Sequence, residues 1–377
     1  MDSLAITSFK KRSIILLSAI LLVLILIVSL NIYVNPYGFY GSSQKSVEIL
    51  NARRLKYNDL CKLENKPEAF VFGSSNSMRF LPSSIEKETN ILAYNYGVFY
   101  ATAEDYYALP KTLYQINGLE PKLIIFCLDV FSFSESAESF DEVFRGSKNR
   151  LSYYENASKH LPDFSYLKLL MYRLKSALTF KQSFRSLKAL VSFKLEEIPE
   201  GELYNMSFLA GGVRKGYADF EGVSVTNVAE KGAYDIESYI KKKDLEFLKA
   251  RNGYKGIVSV LGNYDFKELS ERRLALFEQS IKFLNEKKCK VIINLMPVQP
   301  YFYKLLIERT MHQNNVSELS LYCKALVNKY PNVLLVKDNS NIENFNGKAE
   351  HFFDSYHPTS VNSDLMIQSL GLDRLNF

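Results

Sequence analysis

From Ser13 to Pro36 the chain carries no charged residue, and the run from Ile14 to Val34 is apolar almost throughout. A helix rises ~1.5 Å per residue, so about 20 residues cross a bilayer core of ~30 Å, and this run is long enough. Lys10, Lys11 and Arg12 stand directly before it, and the next basic residue after it is Lys45. The positive-inside rule therefore keeps the first residues in the cytoplasm and exports the chain beyond the run. A cleaved signal has an apolar stretch of ~7–15 residues and then small residues at the cut. The present run is longer, and Asn31-Ile-Tyr-Val-Asn-Pro-Tyr offers no such site. The expectation is a retained single span: tail 1–12, transmembrane helix 13–35, connector 36–65 and an extracytoplasmic domain 66–377.

The net charge is +6, and setting aside the first twelve residues leaves +4 for the remainder. So small an excess on an exported chain gives no reason to expect a nucleic-acid partner. The membrane is the one partner the charge and hydropathy pattern requires. Cys61, Cys127, Cys289 and Cys323 are too few for a disulfide scaffold and lack paired CxxC spacing. No cofactor is expected.

After the connector, short apolar runs alternate with helical patterns. Glu68–Phe72, Ile91–Asn95, Lys122–Leu128, Lys290–Met296 and Asn332–Val336 read as strands. Helical patterns fall at Ser84–Glu88, Ala103–Asn117, 266–284, Ser317–Lys329 and Ser360–Leu370. This alternation predicts an α/β fold, a parallel sheet flanked by helices. Residues 135–260 break the rhythm and read as a largely helical insertion over the sheet.

Chemistry enters at two places. Gly73-Ser74-Ser75 turns directly after a buried strand, and in open α/β sheets ligands bind at the carboxyl ends of strands. A sharp turn there also aims backbone N–H groups where an oxyanion can develop. Near the C-terminus, Asp354-Ser-Tyr-His357-Pro358 comes after the last strand. An Asp three residues before a His can orient one ring nitrogen and leave the other as a base. Histidine and carboxylate ligands at His351, Asp354 and His357 form the weaker reading of a zinc site. Arg79 and Asn76 lie close enough in sequence to Ser75 to touch an anionic substrate.

Together the two motifs, in their order and positions, resemble the SGNH (GDSL-type) hydrolase family, over residues 66–134 and 262–377. With its N-terminal anchor the chain looks most like the membrane-anchored branch of cell-envelope acylation, which includes the D-alanine transfer protein of teichoic acids. The resemblance implies Ser75 as nucleophile, with Asp354 and His357 completing a triad. It implies an oxyanion hole from the Ser75 N–H and the Gly97–Tyr100 loop, where Tyr100 replaces the family's glycine and serves if its φ is negative. The family's third block, Gly-x-Asn-Asp, is absent: Asp129 comes after Leu128 without an Asn.

The function so implied is acyl transfer through an acyl-enzyme to a cell-surface polysaccharide, with a membrane-bound O-acyltransferase as a possible donor partner. A polysaccharide O-deacylase and a non-catalytic glycan-binding or assembly protein on the same scaffold are the alternatives.

Overall fold

A computed structural model describes residues 3–34, 52–98, 100–135, 137, 157, 159–162, 164–191, 264–352 and 355–375. The chain divides into two compact units, residues 1–50 with 163–200, and residues 51–162 with 201–377.

The first unit contains α1 (Ser3–Val34), α5 (Tyr166–Ala177) and α6 (Phe180–Val191). From Phe9 to Val34, α1 is long and apolar enough to cross a membrane, consistent with a single-pass anchor. Residues 163–200 thus form a unit with this helix, whereas the sequence pattern had placed the whole of 135–260 over the sheet. The rest of that segment lies largely outside the described residues.

The second unit is a five-stranded, wholly parallel sheet in the order β2-β1-β3-β4-β5. Its strands are β1 (Ala69–Gly73), β2 (Ala93–Asn95), β3 (Leu123–Leu128), β4 (Lys290–Leu295) and β5 (Val333–Asp338). Its helices are α2 (Ala52–Lys62), α3 (Pro82–Thr89), α4 (Ala103–Leu113), α7 (Glu271–Glu286), α8 (Pro300–Arg309), α9 (His312–Lys329) and α10 (Ser360–Ser369).

The apolar runs become strands because both faces of the sheet are covered, and successive side chains point to opposite faces. Phe70, Phe72, Phe126 and Ile293 pack with Tyr106, Phe277 and Leu319 on one face. Val71, Ile125 and Ile292 pack with Ile85, Met366 and Ile367 on the other. Phe126 stands edge-on to Phe277 at 5.2 Å and to Tyr106 at 5.9 Å. Burying one such side chain contributes about 1.5–3 kcal/mol.

Pro110 is tolerated inside α4 for a local reason. Proline cannot donate to the carbonyl four residues earlier. That carbonyl, Tyr106 O, accepts instead from the Ser280 hydroxyl at 2.7 Å. A helix pattern with an internal proline therefore survives because its neighbour α7 satisfies the freed group.

Two elements depart from the sequence expectation. Residues 52–62, read as connector, form α2. Residues 300–309, which the sequence pattern leaves unassigned, form α8, with Pro300 in its first turn and the Gln299 side chain capping Tyr301 and Phe302 N–H.

Candidate active site

The strand order 2-1-3-4-5 reverses direction between β1 and β3, so a crevice opens at the carboxyl ends of those two strands. Ser74 and Ser75 come directly after β1, and Asp129 directly after β3, which places all three at this point. Ser75 begins a 3-10 turn, Ser75–Arg79, and the Ser74 side chain caps it by accepting from Asn76 N–H at 3.2 Å. The Ser77 hydroxyl donates back to Ser74 O at 2.7 Å. Gly73 is required by the closeness of this return, since a Cβ there would stand 2.5 Å from Ser77 Oγ and 2.7 Å from Cys127 O.

The other half of the site is carried by the loop before α10. Phe352 pairs with Pro358 in an isolated antiparallel bridge, and Thr359 N–H donates to His351 O at 3.0 Å. The buried Asn362 amide donates to the carbonyls of Lys348 and His351, each at 2.9 Å, and its oxygen accepts from Lys348 N–H. So clamped, the loop brings His357 Nε2 to 2.8 Å from Ser75 Oγ, across 282 residues of sequence. This distance lies within the range required of a nucleophile and its base. Asp354, the expected third member, lies outside the described residues.

The sheet also supplies a group to which the sequence pattern assigned no role. Asp129 is 3 % exposed. It accepts from the Ser74 hydroxyl and, at 2.5 Å, from the Asn76 amide. Burial pushes its carboxyl up to about 6, against the opposing pull of those two donors and of His357. The signal was its position, an acid directly after a buried strand at the binding end of the sheet.

Several expected roles change accordingly. Asn76 is fully buried, and its amide nitrogen donates to Asp129, which fixes the turn. Gly97 does not offer its N–H to an oxyanion, because that N–H donates to Asn95 Oδ1 at 2.8 Å. It is glycine for space: a Cβ would meet Ser77 Oγ at 2.6 Å. Tyr100 has φ +46°, in the left-handed region, so the negative φ expected of it is not found. Holding a bulky residue there costs on the order of 1–2 kcal/mol. Arg79 is buried at 5 % exposure at the far end of the Ser75 turn.

The loop from β2 is fixed from below by α2. Lys56 Nζ is completely buried and donates to the carbonyls of Asn95 at 2.9 Å and Gly97 at 2.7 Å. Burial draws its ammonium down to about 7, partly offset by Asp59. Asn95 in turn donates to the carbonyls of Ser77 and Phe80, tying this loop to the turn that carries Ser75.

Asp129 gives the site a pH signature in stability. Its folded carboxyl titrates above its unfolded value of 3.8, so the folded chain holds more protons between about pH 4 and pH 6. Stability from this group therefore falls as pH rises through that window, by at most about 3 kcal/mol. Relative to wild type, Asp129→Asn should lose this fall, as read from denaturation midpoints across pH 4–7. Parallel profiles for the two proteins would contradict the assignment.

Comparison with curated proteins finds no match. Residues 15–360 match the family described as Protein of unknown function (DUF1574), a stretch that takes in most of the apolar helix, every strand of the sheet, Ser75 and His357. The chain belongs to this DUF1574 family.

Proposed function

We propose that this protein is a membrane-anchored serine acyltransferase of SGNH type that acylates a cell-surface polysaccharide. The observation that carries the reading is the 2.8 Å approach of His357 Nε2 to Ser75 Oγ at the switch point of a parallel sheet. His357, oriented by Asp354, takes the Ser75 proton as Oγ attacks the carbonyl carbon of an acyl donor. The tetrahedral oxyanion is met by the Ser75 N–H at the start of the turn. Collapse expels the donor's leaving group, which recovers the proton from His357, and leaves an ester on Ser75. A sugar hydroxyl, deprotonated by the same imidazole, then takes the acyl group and frees Ser75.

One feature favours transfer over hydrolysis. The helix α1 tethers the chain beside the membrane, where a membrane-bound O-acyltransferase would deliver the donor. The third-block position carries Asp129, whose two oxygens are occupied as acceptors, in place of a neutral side-chain donor. Loss of one oxyanion donor costs about 10²–10³ in rate on acylation, hydrolysis and transfer alike, so it lowers esterase turnover without deciding between water and a sugar hydroxyl. Cells carrying Ser75→Ala should lose acyl groups from a surface polysaccharide whose sugar backbone is unchanged, as read by mass spectrometry. Increased acylation would identify a deacylase, and unchanged acylation would favour a binding protein on the same scaffold.

A further inference from the structure

In the first unit most large apolar side chains are exposed, while several small and polar ones are buried. Where α5 and α6 meet the end of α1, the residues buried beside Val34 and Leu169 are small or polar: Ala177, Gln182 and Ser186. Asn31, in the apolar helix and fully buried, donates to Ala177 O at 2.6 Å and to Ser183 Oγ at 2.9 Å. The Gln182 amide reaches Asn31 O. Close approach through small residues with polar groups as links is the packing used by helices in lipid, where apolar side chains have no reason to turn inward.

The large apolar residues of the pair point outward. Leu167, Leu170 and Leu174 form one stripe on α5, and Phe180, Phe184 and Leu187 form one on α6, with Phe180 86 % exposed. Their spacings of three, four and seven are those of a single helical face. Between residues 164 and 191 there are six basic residues (Lys168, Arg173, Lys175, Lys181, Arg185, Lys188) and no acid. An apolar stripe with basic residues and no acids is the pattern of a helix lying in the interface of an anionic bilayer.

The position agrees with this. A bilayer core of ~20 residues beginning at Ser13 ends near Ile32, so Asn31 stands at the core's far boundary, and the hairpin meets α1 there. The contact of the hairpin with α1 therefore lies at the depth where headgroups meet acyl chains.

We propose that α5 and α6 are a second membrane contact, a hairpin seated in an anionic lipid interface at the Asn31 end of α1. A span alone leaves a domain free to swivel; a seated hairpin adds a second attachment and removes that freedom. The inference rests on α1 crossing the bilayer and is independent of the acyl-transfer reading.

The chain contains no Trp, so one introduced Trp reports its own site. Full-length Leu170→Trp and Phe184→Trp proteins would be placed in vesicles of phosphatidylcholine and phosphatidylglycerol. Leu321→Trp, 68 % exposed on α9, is the aqueous control. Lipids brominated near the headgroup should quench both hairpin reporters several-fold more than acrylamide does, and the control should show the opposite order. Quenching mainly by acrylamide would overturn the proposal by putting the stripes in water. Weak quenching by both would overturn it in favour of cover by a second copy or another protein. Quenching only by lipids brominated near the chain ends would also overturn it, since the hairpin would then be inserted in the core.

Discussion

Ser75→Ala should lower turnover of an activated ester by the purified full-length protein by at least about 10³-fold. Oγ is the atom that forms the new bond, so its loss removes the acyl-enzyme route entirely. His357→Gln should cost a similar amount, because Oγ without its base at 2.8 Å is an ordinary weakly acidic alcohol. The double variant should be no worse than either single one, as expected of groups that act as a unit. Independent, multiplying losses would mean that the two side chains do not share one step.

The second large effect is on stability. Arg53 and Asp105 form a buried, two-pronged ion pair, Nε to Oδ1 at 2.6 Å and Nη2 to Oδ2 at 2.7 Å, with side chains 4 % and 2 % exposed. Asp105 also accepts from Thr102 N–H, which closes the capping box at the start of α4. Arg53→Ala leaves a carboxylate buried without its cation, and such a break costs about 3–5 kcal/mol. For a domain of this size that lowers the melting temperature by on the order of 10 °C, measurable in detergent. A loss within about 1 kcal/mol, as for an exposed pair, would contradict the account. The double change Arg53→Met with Asp105→Leu should recover much of the loss, because no charge is then stranded.

This pair also shows where sequence reading fails. The strands were legible because both sheet faces are covered, so Phe70–Phe72 and Leu123–Leu128 stand as unbroken apolar runs. The Ser75 turn and the His357 loop were legible because Gly-Ser-Ser after a strand, a common turn by itself, stands together with Asp-x-x-His-Pro before the last helix. By contrast, α2 reads Ala-Arg-Arg-Leu-Lys-Tyr-Asn-Asp, a polar stretch by any composition rule. Its Arg53 and Lys56 are nonetheless buried, one against Asp105 and the other against two carbonyls. Partners far away in sequence make a charged residue an interior one, and no local pattern encodes them. The φ of Tyr100 is of the same kind, imposed by packing and not by the preference of tyrosine. The outward stripes on α5 and α6 were legible as helix but not as surface, since an amphipathic pattern does not say which face meets which solvent.

Whether Ser75 is a nucleophile can be read directly. A fluorophosphonate loses fluoride to an activated serine and leaves a phosphonyl ester on its oxygen. With full-length protein, intact-mass measurement and peptide mapping should find one adduct per chain, on the peptide that contains Ser75. Ser75→Ala and His357→Gln should both lack it. An adduct that persists in either variant, or none on the wild type under conditions that fully label a reference serine hydrolase, would contradict the account.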